Sequence, residues 1–123
     1  MDITVIKTFL NIPNAPDDLV ESAIKEAESF LIRKKVFTES DSPERRQGDR
    51  FTAWKYLTVY FLLPHLSMTV GEMGATKQIG YGEQAQHLLS ESDIERKQKF
   101  YYNHAMSIIT DIQNSELPFG IDI

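Results

Sequence analysis

Chemistry needs acids, bases, nucleophiles or ligands held at a spacing that one element can present, and this chain offers few. The three histidines, His65, His87 and His104, fall on different stretches. No HxxxH or HExxH pair sets two imidazoles on one helix face to hold a metal. The chain has no cysteine, which excludes disulfides, thiolate metal sites and Cys–His nucleophiles. Gly80-Tyr81-Gly82 has a GxG spacing but lacks the third glycine and a preceding buried strand, so it is not a phosphate cradle. Nucleophile elbow and Walker loop are absent, and the 18 Asp and Glu residues are scattered. Tyr56, Tyr60, Tyr101 and Tyr102 are of the residue type that a nucleic-acid binder uses to stack on bases. Their helical spacing among apolar neighbours reads instead as core packing. Arg96, Lys97 and Lys99 form a short basic cluster, the one feature a small DNA-binding regulator would use. The reading is a protein that is not an enzyme, with no cofactor and no metal site.

The elements that position these residues come from a chain of 123 residues, the size of one domain and enough to bury a core without staples. Its net charge of −5 argues against broad nucleic-acid affinity, which requires a basic face. The opening MDITVIKTFLNIP lacks the charged, apolar and small-residue sections of a signal peptide. Organisation centres on residues 51–66, FTAWKYLTVYFLLPHL. Phe51, Trp54, Leu57, Phe61 and His65 recur at helix period, and Tyr56, Val59, Tyr60, Leu62 and Leu63 fill most other directions. Such a helix belongs at the centre of a core. It is too short and too polar, at Lys55 and His65, to cross a bilayer, which takes about 20 apolar residues. Asp49 is placed to cap it. Pro64 cannot bond back to the Tyr60 carbonyl, so the helix either kinks there or stops at Leu63.

Around it the pattern predicts a small, mainly α bundle of about four helices. Asp2 caps a short first helix with Ile3, Ile6, Phe9 and Leu10 on its stripe, although Ile3 to Ile6 reads almost as well as a strand. Pro13 and Pro16 break it. A second helix runs over 16–35, with Pro16 at its first position, acids at its start and Val20, Ala23, Ile24, Ala27, Phe30 and Leu31 on one face. Residues 36–48 are polar and read as an exposed loop, with Arg45, Arg46 and Arg50 as a local positive spot. Residues 74–89 read as a hairpin or extended segment around Gly80 and Gly82. Ser92 and Glu95 form a capping box for the last helix, whose buried face is Ile94, Tyr101, Ala105, Ile108, Ile109 and Ile112, with Asn114 as its stop. Residues 1–114 thus make a single helical domain.

Residues 115–123, SELPFGIDI, form an extended tail. Leu117, Phe119, Ile121 and Ile123 alternate, and Pro118 and Gly120 block helix. Burying each apolar side chain contributes about 1.5–3 kcal/mol, against about 1–2 kcal/mol per residue to order the backbone. Alone the segment barely breaks even. Docking against a partner suits it; folding back on its own domain is the other reading.

With these elements in place, the chain resembles the head–tail connector, adaptor or head-completion proteins of long-tailed bacteriophages and prophages. The resemblance rests on TVIKTFLNI as a short first helix, DDLVESAIKEAESFL as an amphipathic second, the aromatic AWKYLTVYFLLPHL, and GATKQIGYGE before the last helix. Tyr81 stands where relatives often carry an acidic residue, and the tail is short. The resemblance implies a virion protein at the head–tail interface, made in the host cytoplasm and working without catalysis. Such subunits form a ring, commonly a dodecamer, beneath the portal protein. The ring extends the DNA channel and offers a platform for stopper or tail-completion proteins. DNA passes through without sequence-specific binding, and no membrane is involved. On this reading Leu117, Phe119, Ile121 and Ile123 dock a partner. Lys77, Gln78, Tyr81, Glu83, Arg96, Lys97 and Lys99 contact the channel or a neighbouring subunit. The basic start of the last helix and the acidic start of the second are candidate complementary faces.

Overall fold

The computed structural model describes residues 1–73 and 91–115, with side chains for 1–66 and 94–115. The described residues contain four helices, joined by turns and loops, and no strand occurs among them: α1 (Ile3–Leu10), α2 (Asp17–Arg33), α3 (Asp49–Met73) and α4 (Glu91–Ser115). The protein is a small helical bundle. The segment 74–89 and the tail beyond Ser115 lie outside the described residues.

α1 forms as a helix because Asp2 is extended and its Oδ1 accepts the Thr4 N–H at 3.0 Å. That backbone hydrogen bond, with the Thr4 contact as a whole, holds the Asp2 carboxyl below its ordinary pKa. The helix ends where Asn11 turns left-handed, at φ 56°. The Ile12 N–H then bonds the Lys7 carbonyl at 2.9 Å and its side chain is fully buried. α2 ends by the same device. Lys35 takes φ 63°, its N–H reaches the Ile32 carbonyl, and the Val36 N–H reaches that of Leu31. This double closure turns the buried side chain of Val36 back onto the core. Pro16 does not occupy the first position of α2. Its ψ of 131° is extended, so it is the cap residue, one place earlier.

α3 is the central helix, sharing its largest interface with α4 and the next largest with α2. Ala53, Trp54, Leu57, Val59, Leu62, Leu63 and Leu66 are buried. Thr58 is fully buried too, and its hydroxyl donates to the Trp54 carbonyl at 2.8 Å. Gly48 holds the cap position expected of Asp49. Its carbonyl accepts the Thr52 N–H at 3.0 Å, and Asp49 lies within the first turn. α3 does not stop at Leu63: it runs through Pro64 to Met73. The Tyr60 carbonyl, for which Pro64 has no N–H, accepts the Gln98 side-chain amide of α4 at 3.0 Å. At the other end of α4, the Gln113 amide donates to the Lys34 carbonyl just past α2, at 2.9 Å. α4 begins at Glu91, so Ser92 lies inside the helix rather than at its cap. Ile94, Ala105, Ile109 and Ile112 are buried as expected, while Tyr101 and Ile108 are half-buried. No helix among the described residues is long and apolar enough to cross a membrane.

Gln98→Ala should lower the unfolding free energy in urea by about 1–2 kcal/mol. That cost should shrink in a Pro64→Ala background, where residue 64 regains an N–H for the Tyr60 carbonyl; equal costs in both backgrounds would dissociate the two. Lys35→Gly should stabilise the fold by about 0.5–1 kcal/mol by relieving the left-handed strain of a side-chain-bearing residue, read from the same urea curves.

Candidate interaction surface

Three clusters of charged and aromatic side chains occur among the described residues. The first corrects the exposed-loop expectation for residues 36–48. Val36 and Phe37 are fully buried, and Phe37 meets Trp54 edge-on at 5.2 Å. The Trp54 indole N–H donates to the Ile24 carbonyl of α2 at 3.1 Å. Arg46 is turned inward, its guanidinium 4.3 Å from the Phe37 ring centre and 5.5 Å from that of Trp54. It also pairs with Glu28 and donates to the Thr38 carbonyl at 2.6 Å. Its buried Nε lies 3.5 Å from Asp41 Oδ2, an ionic contact without hydrogen-bond alignment.

Asp41 is the hub of this loop, with a side chain only 2% exposed. Removal from water pushes its pKa up. The Thr38 hydroxyl and N–H, each at 2.7 Å, with Arg45 and Arg46, outweigh that and hold it below the ordinary carboxylate value. The cleft beside this network is lined by Glu28, Asp41 and Arg46, whose charges are paired with one another. That arrangement is structural: it pins the α2–α3 loop to the core.

The second cluster is at the surface where α1, α3 and α4 meet. Phe9 of α1, Tyr56 of α3 and Tyr101 of α4 form a triangle with ring centres 5.5–6.3 Å apart. Phe100 extends it, 5.2 Å from Tyr101 and 4.4 Å from His104, and His104 closes back on Tyr56 at 5.9 Å. Phe9 is 39% and Phe100 50% exposed, the two large apolar side chains left in water among the described residues. Lys55 adds a cation, its Nζ 4.6 Å from the Phe9 ring centre. An open groove bounded by Thr4, Val5, Thr8, Phe9 and Lys55 adjoins it, with Asp2 at the rim. Burial pushes the Tyr101 hydroxyl above its ordinary pKa, and the neighbouring Tyr56 adds to this. The hydroxyl therefore stays neutral through the physiological range.

Of the residues expected at a contact site, Arg96 and Lys99 are exposed and Lys97 half-buried in the first turns of α4. Lys97 lies three, four and seven residues before Phe100, Tyr101 and His104, so it shares their helix face. Arg96 and Lys99 fall on neighbouring faces. Lys77, Gln78, Tyr81 and Glu83, and Leu117, Phe119, Ile121 and Ile123, lie outside the described residues. The tyrosines assigned to the core are half-buried at its edges. Tyr56 and Tyr101 belong to the exposed cluster, while Tyr60 and Tyr102 join Phe30 and Phe61 in a separate one. Sequence reasoning passed over Phe9, Lys55, Tyr56, Phe100 and His104 as surface contacts. The available signal was Phe100-Tyr101-Tyr102: three consecutive aromatics on a helix cannot share one buried stripe. Among the described residues, no group of His, Asp and Glu side chains is arranged to hold a metal ion.

No family model, no curated protein and no solved structure matches the chain.

Asp41→Asn should lower the unfolding free energy at neutral pH by about 1–2 kcal/mol, the scale of hydrogen bonds to a charged group. Because the folded carboxyl is depressed, its contribution is fully present above the ordinary value of 3.8 and is lost as pH falls through the lower folded value. Urea unfolding of both proteins across the acid range should therefore show the gap closing; a gap independent of pH would exclude the charge as its source.

Proposed function

We propose that this chain is a structural subunit of a phage head–tail connector, assembling as a ring beneath a portal protein. The ring would extend the DNA channel and present a platform to stopper or tail-completion proteins. The observation that carries this reading is the exposed aromatic surface of Phe9, Tyr56, Phe100 and Tyr101 with its Lys55 cation. Aromatic groups are enriched at the centres of protein–protein contacts, and a surface that leaves two phenylalanines in water gains by being covered. A bundle whose loop is pinned by Asp41 and Arg46 supports such a surface rigidly. The order of one short and three longer helices among the described residues is in keeping with the family resemblance. A net charge of −5 suits a conduit for DNA, because like charge on the wall avoids sticking. In a ring, each subunit offers one face to a different face of its neighbour, and repetition turns a weak contact into a stable one.

The test is assembly of the purified full chain with a portal protein, followed by native mass spectrometry and electron microscopy. Rings are expected, and Phe100→Asp should impair them while leaving helicity by circular dichroism unchanged. A chain that stays monomeric with portal present would overturn the reading. Salt-sensitive binding to duplex DNA at low salt, abolished by neutralising Arg96, Lys97 and Lys99, would instead favour a small DNA-binding regulator.

A further inference from the structure

We infer that the aromatic surface of one copy takes the segment 116–123 of a second copy, with Phe119 seated among Phe9, Tyr56, Phe100 and Tyr101. This rests on the reading of the chain as a ring-forming subunit and names the contact that would link neighbours. The chemistry of the two sides matches. The surface is apolar and cationic: rings packed 4.4–6.3 Å apart, Lys55 beside them, and Lys97 on the same face of α4. The segment ELPFGIDI is apolar and anionic, with Leu117, Phe119, Ile121 and Ile123 alternating and Glu116 and Asp122 as its charges. An extended peptide places alternate side chains on one side. Its apolar side therefore suits the rings and the adjoining groove bounded by Thr4, Val5 and Thr8, while Glu116 and Asp122 fall on the opposite side and oppose the cationic surface only through the net charge of the segment.

Reach decides between the copy's own segment and a neighbour's. Tyr101 precedes Ser115 by fourteen residues of continuous helix, about 21 Å at 1.5 Å per residue. Four extended residues beyond Ser115 carry Phe119 only about 14 Å. Helical side chains also lean toward the N-terminus, which widens the gap to the Tyr101 ring. Within one chain, then, only Ile121 and Ile123 come within range of the centre of the surface, and the largest apolar side chain of the segment falls short. A neighbour's segment has no such tether. A one-way contact of this kind, segment onto surface, is heterologous and propagates into a ring.

The absence of cysteine makes engineered cysteines unambiguous reporters. Full-length Phe119→Cys and full-length Phe100→Cys chains are mixed and oxidised mildly, each also being oxidised alone. Residue 100 is half exposed, so the substitution leaves the core intact. The expected result is a disulfide-linked heterodimer as the dominant product, lost when Phe9→Asp is added to the Phe100→Cys chain. A statistical mixture of homodimers and heterodimers, or no cross-link, overturns the inference. So does a chain carrying both cysteines that closes only an intramolecular disulfide at any dilution, since the segment would then dock on its own domain. Rings formed with portal but without the heterodimer would remove this contact and leave the connector reading standing. The heterodimer without rings or portal binding would do the reverse.

Discussion

The bundle depends on how the carbonyl of Tyr60 is satisfied. It sits in the middle of the central helix, four residues before a proline that cannot reach back to it, and an unpaired carbonyl there is costly. Gln98 supplies the missing donor from α4 at 3.0 Å. This one bond constrains the register of α4 against α3. With Gln98 turned to α3, Tyr101, Ala105, Ile109 and Ile112 follow at helical spacing along the same seam. Gln113 then meets the Lys34 carbonyl at the end of α2. Phe100 and His104, one face round, are left at the edge of the seam. The surface cluster lies along the edge of the seam that this bond helps to register.

A second set of constraints holds α2, its following loop and α3 together. Left-handed Lys35 closes α2 and drives Val36 and Phe37 inward. Phe37 packs on Trp54, whose indole N–H is anchored on α2, and Arg46 lies over both rings. Desolvating a guanidinium in this way is unfavourable unless its charge is met. Glu28 and Asp41 meet it, which is why a loop rich in charge is ordered instead of solvated. The loop's arginines therefore divide: Arg46 acts in the core, and the surface positive charge near the aromatic cluster comes from Lys55 and α4.

Helix period, the apolar circumference of residues 51–66 and the proline breaks were enough to determine the four helices of the described residues, their order and the central place of α3, because these depend on contacts within a few residues. Asp2 as a cap and the buried stripes of α2 and α4 were legible for the same reason. The tertiary structure decided what depends on residues distant in the chain. Pro64 reads as a kink or a helix end until a glutamine 34 positions later answers the Tyr60 carbonyl it leaves orphaned. Residues 36–48 look solvated until Glu28 and Trp54 are brought to Arg46. Tyr56 and Tyr101 read as core; they do pack against it but stay half-buried, with Phe9 beside them at its edge. Hydrophobic pattern reports which side chains prefer burial. Only the packed helices decide which of them find too little chain to cover them, and here that shortfall defines the surface on which function is proposed to rest.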